Sequence, residues 1–410
     1  MRVLRQNIGW ILAYGVLLFL AFNRHSHDTG FNYHNELWSD KSGYYVYLPA
    51  TFIYQFDTQQ LPENIDSLTG TGFAVRDGKI LTKYPMGVAI LQLPFFLSSH
   101  VVATVGDYDS NGFSLPYQKM TLVAAVTYFV IALRLLWPWL LSFAGSRWAA
   151  GGLTFIVLGT NLVYYVVFES GLSHVYSFFL FSILIYQMHR NVKLGWIILV
   201  LSLTISVRYT NALVLLPLYF LRTDQFRFRL QKTDLLPIVL AGIPFLLQLL
   251  YNQYAFNSTS LDSYQDEGFL YWMKPKVGVV WFAPENGLFL YTPFWLVLIY
   301  SQFRRLSAPL SRSNLTVFGI LTLLYASWWS PELGCAFSHR GFTEYLPFFL
   351  PGFLTLRTRL RPSGKTVLLG LSVLFTLYTL KLIFSYDYCF HGTDAWDWDF
   401  YIRLLSSKLK

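Results

Sequence analysis

Hydrophobic positions fall in long blocks rather than in the alternation of strands, and polar positions gather in the intervals between them. Apolar runs begin at Ile8 to Phe22 and recur to Thr366 to Phe384, several near the ~20 residues that a straight helix needs to cross a bilayer. The pattern predicts an all-α polytopic membrane protein with about 9 to 12 membrane segments. One interval breaks the rhythm. Directly after the first apolar run, residues 23–85 form a polar excursion carrying Glu36, Asp40, Lys41 and the run Tyr44-Tyr45-Val46-Tyr47-Leu48-Pro49.

Composition agrees with the blocks: of 410 residues, 54% are hydrophobic, 19% aromatic and only 13% charged. The net charge of +9 would point to nucleic acid in a soluble domain. Here the basic residues sit in short loops between apolar runs, where the positive-inside rule accounts for them, and nucleic acid is set aside. Arg2 and Arg5 precede the first run and no small-residue cleavage site follows, which reads as a retained signal anchor with a cytoplasmic start.

Loop charge then orders the crossings. Basic clusters at Arg147, at Arg190 and Lys193, at Arg222 to Lys232, at Arg304 to Arg312 and at Arg357 to Lys365 all belong on the cytoplasmic side. Satisfying all five makes Leu194 to Leu221 a hairpin or a broken span that returns. It also keeps Met86 to Val105, interrupted by Gln92, Pro94, Ser98, Ser99 and His100, on or dipping into the outer surface. Every polar cluster with chemical character then faces outward.

Asp40 is the candidate base, with Glu36 beside it, and the aromatic stretch to Gln55 suits a segment lying along the headgroups. The plainer reading of Asp40 is a helix cap. Lys83, before a turn and an apolar helix, suits a lipid phosphate or a snorkelling interfacial lysine. Glu169 and His174 mark an outer turn, either orienting a substrate or capping a hairpin. Trp329, His339 and Arg340 place aromatics and a bidentate cation where a sugar phosphate or a lipid headgroup would sit. Arg208 stands at the apex of the hairpin, as a ligand contact or a structural pairing.

Asp107-Tyr108-Asp109 and Asp397-Trp398-Asp399 are patterns a divalent cation uses, yet triplets of this kind arise often by chance; the metal content is left open and no cofactor is expected. Cys335 and Cys389 fall on the same side, where a disulfide is geometrically possible. There is no P-loop, nucleotide fingerprint or zinc spacing, which favours a donor already activated and carried by a lipid.

The outer acid followed by Tyr44 and Tyr45, the segment Lys83-Tyr84-Pro85-x-Gly87, the turn Glu169 to His174, Arg208-Tyr-Thr-Asn211, Pro284-Glu-Asn-Gly287 to Tyr291-Thr-Pro293 and the tryptophan-rich loop ending in Arg340 together resemble the GT-C type of membrane glycosyltransferases, which includes protein O-mannosyltransferases and the aminoarabinose transferase of lipid A. The resemblance implies a GT-C-like transmembrane domain over residues 1–385, a large first extracytoplasmic loop at 23–85 and a short tail at 386–410. It implies transfer of a sugar from a polyprenyl-phosphate donor to a glycolipid or cell-envelope glycan acceptor. Asp40 would be the catalytic acid, either assisted by Glu36 or working alone; Lys83, Arg340, His339 and Arg208 would hold the donor phosphate; Tyr44, Tyr45, Glu169, His174 and Trp329 would position substrate. The setting would be a bacterial inner membrane with the site facing the periplasm. Lys41 departs from the Asp-Glu or Asp-Asp pair of many relatives, and no large soluble C-terminal domain follows. A flippase or transporter for a lipid-linked glycan is the alternative, and a scaffold without chemistry a third.

Overall fold

The computed structural model describes residues 2–24, 32, 34–221, 230–261, 264, 267–334, 336–386 and 395–407. The chain is 71% helix and 2% strand, an all-α protein. Among the described residues, five helices are long and apolar enough to cross a membrane by length and composition: Asn7–Arg24, Gly87–Val105, Leu115–Leu140, Lys232–Phe256 and Pro362–Ser385. The chain divides into two compact units that interleave in sequence. The first comprises Met1–Arg134, Tyr165–Ala212 and Phe226–Asp266, and the second Leu135–Tyr164, Leu213–Gln225 and Glu267–Lys410.

In the first unit, helix Arg2–Arg24 runs antiparallel to residues 115–134 of helix Leu115–Leu140. Asn7 meets Arg134 at 2.8 Å, Tyr14 meets Thr127 at 3.1 Å, and the Lys119 ammonium lies 5.4 Å from the centroid of the Phe22 ring. The loop after the first helix does not lie along a surface. It folds into Asp40–Tyr45 and Tyr47–Phe52, and every residue from Lys41 to Ala50 is buried. This corrects the amphipathic reading: Tyr45 packs against Phe96 and Phe113, and Tyr47 against Tyr251, so both faces are covered by protein.

Tyrosine hydroxyls fasten this loop to backbone carbonyls that no helix uses. Tyr45 donates to Gly112 O at 2.6 Å, Tyr54 to Asn111 O at 2.7 Å and Tyr47 to Tyr84 O at 2.6 Å. A phenol can do this where an aliphatic cannot, because its ring fills the core and its tip satisfies a buried acceptor. The antiparallel pair Ala74–Arg76 and Lys79–Leu81 turns through Asp77 and Gly78, both left-handed (φ 52° and 69°), as a two-residue hairpin turn requires.

Helix Gly87–Val105 is continuous through Pro94. Its polar interruptions each find a partner within the protein: Gln92 donates to the Tyr176 hydroxyl, Ser98 and Ser99 to the carbonyls of Pro94 and Phe96, and His100 bonds the Tyr117 hydroxyl at 2.6 Å. They therefore do not by themselves bar the helix from an apolar layer. It runs along helix Leu115–Leu140 in the opposite direction, Leu91 O accepting from the Tyr128 hydroxyl at 2.7 Å near its start and Phe96 and His100 meeting Tyr117 towards its end.

Broken helices account for the short apolar runs. Leu194–Val207 stops at Arg208, whose backbone is extended (φ −155°, ψ 130°), and resumes as a 3₁₀ turn at Tyr209–Val214 before Leu215–Leu221. In the second unit, Trp295 is fully buried among Phe318, Phe342 and Phe349, and Trp148 stacks on Phe353. The terminal helix Trp398–Ser406 packs on Pro362–Ser385, and Asp397 caps it by accepting from Phe400 N at 2.9 Å, so one member of that Asp-x-Asp pattern serves as a helix cap. Cys335 and Cys389 lie outside the described residues.

Tyr45→Phe strips the Gly112 carbonyl of its buried donor. It is expected to cost about 1–3 kcal/mol, read as a lowered midpoint in thermal unfolding of the detergent-solubilised chain; an unchanged midpoint would show that the clamp carries no weight.

Candidate active site

Asp40 is the first residue of its short helix, and the backbone that delivers it is strained. Ser39 sits at φ 52°, a region a non-glycine residue occupies at a cost of about 1–3 kcal/mol. It is pinned there by its own N–H on Thr69 O at 2.7 Å, while the Ser42 hydroxyl bonds both Ser39 O and Thr69 O. Ser39 makes no side-chain cap, and the Asp40 Oδ1 accepts from the Tyr84 hydroxyl at 2.6 Å. Tyr84 is itself buried and lies 4.4 Å, centroid to centroid, from the Tyr44 ring. Burial and the neighbouring Asp40 charge push the Tyr84 phenol well above its ordinary range, so it is a fixed donor.

Lys41 is 3% exposed and its ammonium meets Glu169 at 3.1 Å. Burial works against its charge, but the fields of Glu169, Glu36 and Asp40 outweigh it, and the lysine is held above its ordinary range. One ammonium thus stands among three carboxylates. Glu36 is itself buried, at 3% exposed. The turn that brings Glu169 in depends on Gly171: a Cβ there would lie 2.5 Å from Glu36 O and 2.9 Å from the Lys41 Cβ. Only a glycine admits so close an approach.

Beside this cluster, His174 is buried under the Tyr165 ring and accepts from the Arg208 guanidinium at 3.1 Å. The broken helix end frees Arg208 to make that bond, and Asn211 anchors the break through Ser177 and the carbonyl of Thr204. Lys83 lies half-buried, with its ammonium 5.6 Å from the Tyr84 ring and 6.0 Å from the Tyr264 ring. The cation and the candidate base therefore share one aromatic wall.

No family model, curated protein or solved structure matches the chain. The site must be weighed on its own geometry.

Of the residues singled out from sequence, the first unit unites Glu36, Asp40, Tyr44, Lys83, Glu169, His174 and Arg208. Tyr45 is reassigned: at 2% exposed, with its hydroxyl committed to Gly112, it is a core residue rather than a substrate contact. The second unit holds the rest. His339 is fully buried between Tyr325 and Phe342 and bonds Pro331 O at 3.0 Å, which makes it a packing residue and not a phosphate ligand. Trp329 is exposed. Arg340 opens the 3₁₀ turn Arg340–Tyr345 and is half-buried. Among the described residues no group of three or more His, Cys, Asp or Glu could hold a metal ion.

Sequence reasoning passed over Tyr84 and Lys41. Tyr84 was visible only as part of a segment, because its partner Asp40 is distant in sequence; Lys41 registered only as a departure from a motif. Glu285 was visible only within the segment Pro284 to Gly287. That carboxyl is pushed up to about 7 by burial and by the charge of Glu332, which is held by Ser330 at 2.8 Å. The neighbouring Asn286 is buried and donates to Glu332 O at 2.7 Å.

Two outcomes follow. Lys41→Met leaves Glu169 and Glu36 around an uncharged side chain and is expected to cost about 3–5 kcal/mol, with part regained when Glu169→Gln is added; equal melting of the single and double variants would contradict the pairing. For Glu285, the folded chain binds the proton more tightly than the unfolded one, so its contribution to stability falls as pH rises from about 4.5 to about 7 and stays lost above that. Glu285→Gln should flatten this slope and raise the unfolding midpoint at pH 8, by an amount on the order of 2 kcal/mol.

Proposed function

We propose that this chain is a polytopic membrane glycosyltransferase of the GT-C kind, moving a sugar from a polyprenyl-phosphate donor to a hydroxyl of a glycolipid or cell-envelope glycan. The observation that carries the reading is the Asp40 carboxylate, delivered by a strained backbone, oriented by a buried tyrosine donor and set beside Lys83 on a shared aromatic wall. Five helices of membrane length among the described residues support an integral membrane setting. The positive-inside pattern supports an outward-facing site, and the short loops favour a bacterial inner membrane.

In this reading Asp40 takes the proton of the acceptor hydroxyl as its oxygen attacks the anomeric carbon. The bond from that carbon to the phosphate oxygen breaks, and the polyprenyl phosphate leaves as an anion. Lys83 supplies positive charge near the leaving phosphate. Tyr84 fixes which carboxylate oxygen turns toward the acceptor, and Lys41 keeps three nearby carboxylates from repelling one another out of place. Arg208, backed by His174, is a second cation for the donor.

The test is label transfer from a radiolabelled polyprenyl-phosphate hexose to an outer-leaflet glycolipid by the reconstituted chain. Asp40→Asn should lower transfer about 10²–10⁴-fold while donor binding is kept. Equal transfer by both would remove Asp40 from the chemistry. Donor movement between leaflets without any transfer would favour the flippase.

A further inference from the structure

The segment Gly268 to Lys276 is a projecting finger with an apolar tip. Met273 is 89% exposed, Leu270 72% and Trp272 61%, although these are among the most expensive side chains to leave in water. The finger is nonetheless built rather than loose. Tyr271 N donates to Ser327 O at 2.9 Å, Lys276 N to Ala326 O at 2.8 Å, and Trp329 N returns to Gly268 O at 2.9 Å. Phe269 closes the base by packing edge-on against both Trp272 and Trp328. The exposed tip is therefore held outward by the backbone, at the end of the apolar helix Pro309–Ser327 where Trp328 and Trp329 follow.

Charge at the finger is one-sided. Lys274 and Lys276 are both exposed, no acidic residue occurs from Gly268 to Pro284, and the Lys276 ammonium sits 3.7 Å from the centroid of the Tyr271 ring. A tip of Leu, Trp and Met with two lysines directly behind it matches a layered partner, apolar below and anionic above. That is the profile of a bilayer surface at the headgroup boundary, where tryptophan rings and basic side chains concentrate.

We infer that the Gly268–Lys276 finger is a lipid-surface anchor, with Leu270, Trp272 and Met273 entering the acyl boundary and Lys274 and Lys276 holding anionic phosphate headgroups. A narrow projecting tip suits a soft layer better than the flat face of a second copy. Trp329, which bonds the base of the finger, belongs to this surface rather than to substrate positioning. The inference stands independently of the transferase reading.

The test places an environment-sensitive fluorophore on Met273→Cys in the full chain, reconstituted in nanodiscs of phosphatidylcholine alone or mixed with phosphatidylglycerol. The signal of the parent chain labelled alike is subtracted. Blue-shifted emission, quenched by lipids brominated near the headgroup, is expected, with quenching about twofold stronger in the anionic mixture. Lys274→Glu with Lys276→Glu, two surface changes that leave the fold intact, should erase the anionic preference. A probe that stays water-exposed in both nanodiscs overturns the anchor. So does shielding that appears in detergent and grows with protein concentration, since a second copy would then be the occupant. Equal quenching in the two lipid mixtures overturns the headgroup role of the lysines.

Discussion

A buried ammonium is hard to keep, and the first unit is arranged around one. Lys41 loses hydration that only close carboxylates can replace, and Glu169 at 3.1 Å supplies the direct partner while Glu36 and Asp40 add their fields. Those partners come from the first polar loop and from the turn before helix Ser173–His189, so the ion pair joins segments more than a hundred residues apart. Gly171 exists to let them approach, and the left-handed Ser39 to aim the residue next to Lys41. The carboxylate that Tyr84 orients also adds its field to the lysine beside it. Structure and candidate chemistry share one constraint.

That constraint explains why some of the molecule was legible in its sequence. Helix content, the apolar blocks and the break at Arg208 follow from local composition, because lipid-like sequence and a lone arginine are visible residue by residue. The importance of the Asp40 region was visible too, since a carboxylate beside tyrosines in an apolar chain is costly wherever it lies. What was not visible was partnership. Tyr44 and Tyr45 are adjacent and chemically identical, yet one stacks on the ring beside the candidate base and the other spends its hydroxyl on Gly112. Nothing local separates them. His339 was read as a ligand because histidine beside arginine invites it, whereas its surroundings are Tyr325, Phe342 and a proline carbonyl.

Helix Gly87–Val105 makes the same point about length. Its nineteen residues have the length and overall hydropathy of a crossing, yet that says nothing of how its side chains are spent, and they pack along helix Leu115–Leu140 through Leu91, Phe95 and His100. Its Gln92 and His100 bond tyrosines of other helices, and Ser98 and Ser99 bond carbonyls of their own helix, so they neither forbid an apolar setting nor mark a site.

The tyrosine fastenings carry a consequence of their own. Burial holds the phenols of Tyr45 and Tyr47 well above their ordinary range and lifts Tyr54 to about 12. Their hydroxyls therefore remain neutral donors in acid and in mild alkali, and a neutral bond is little affected by ionic strength. The frame of the first loop is indifferent to the acidity and salinity of whatever fluid bathes it, and sensitivity to those variables is left to the charged cluster the frame encloses.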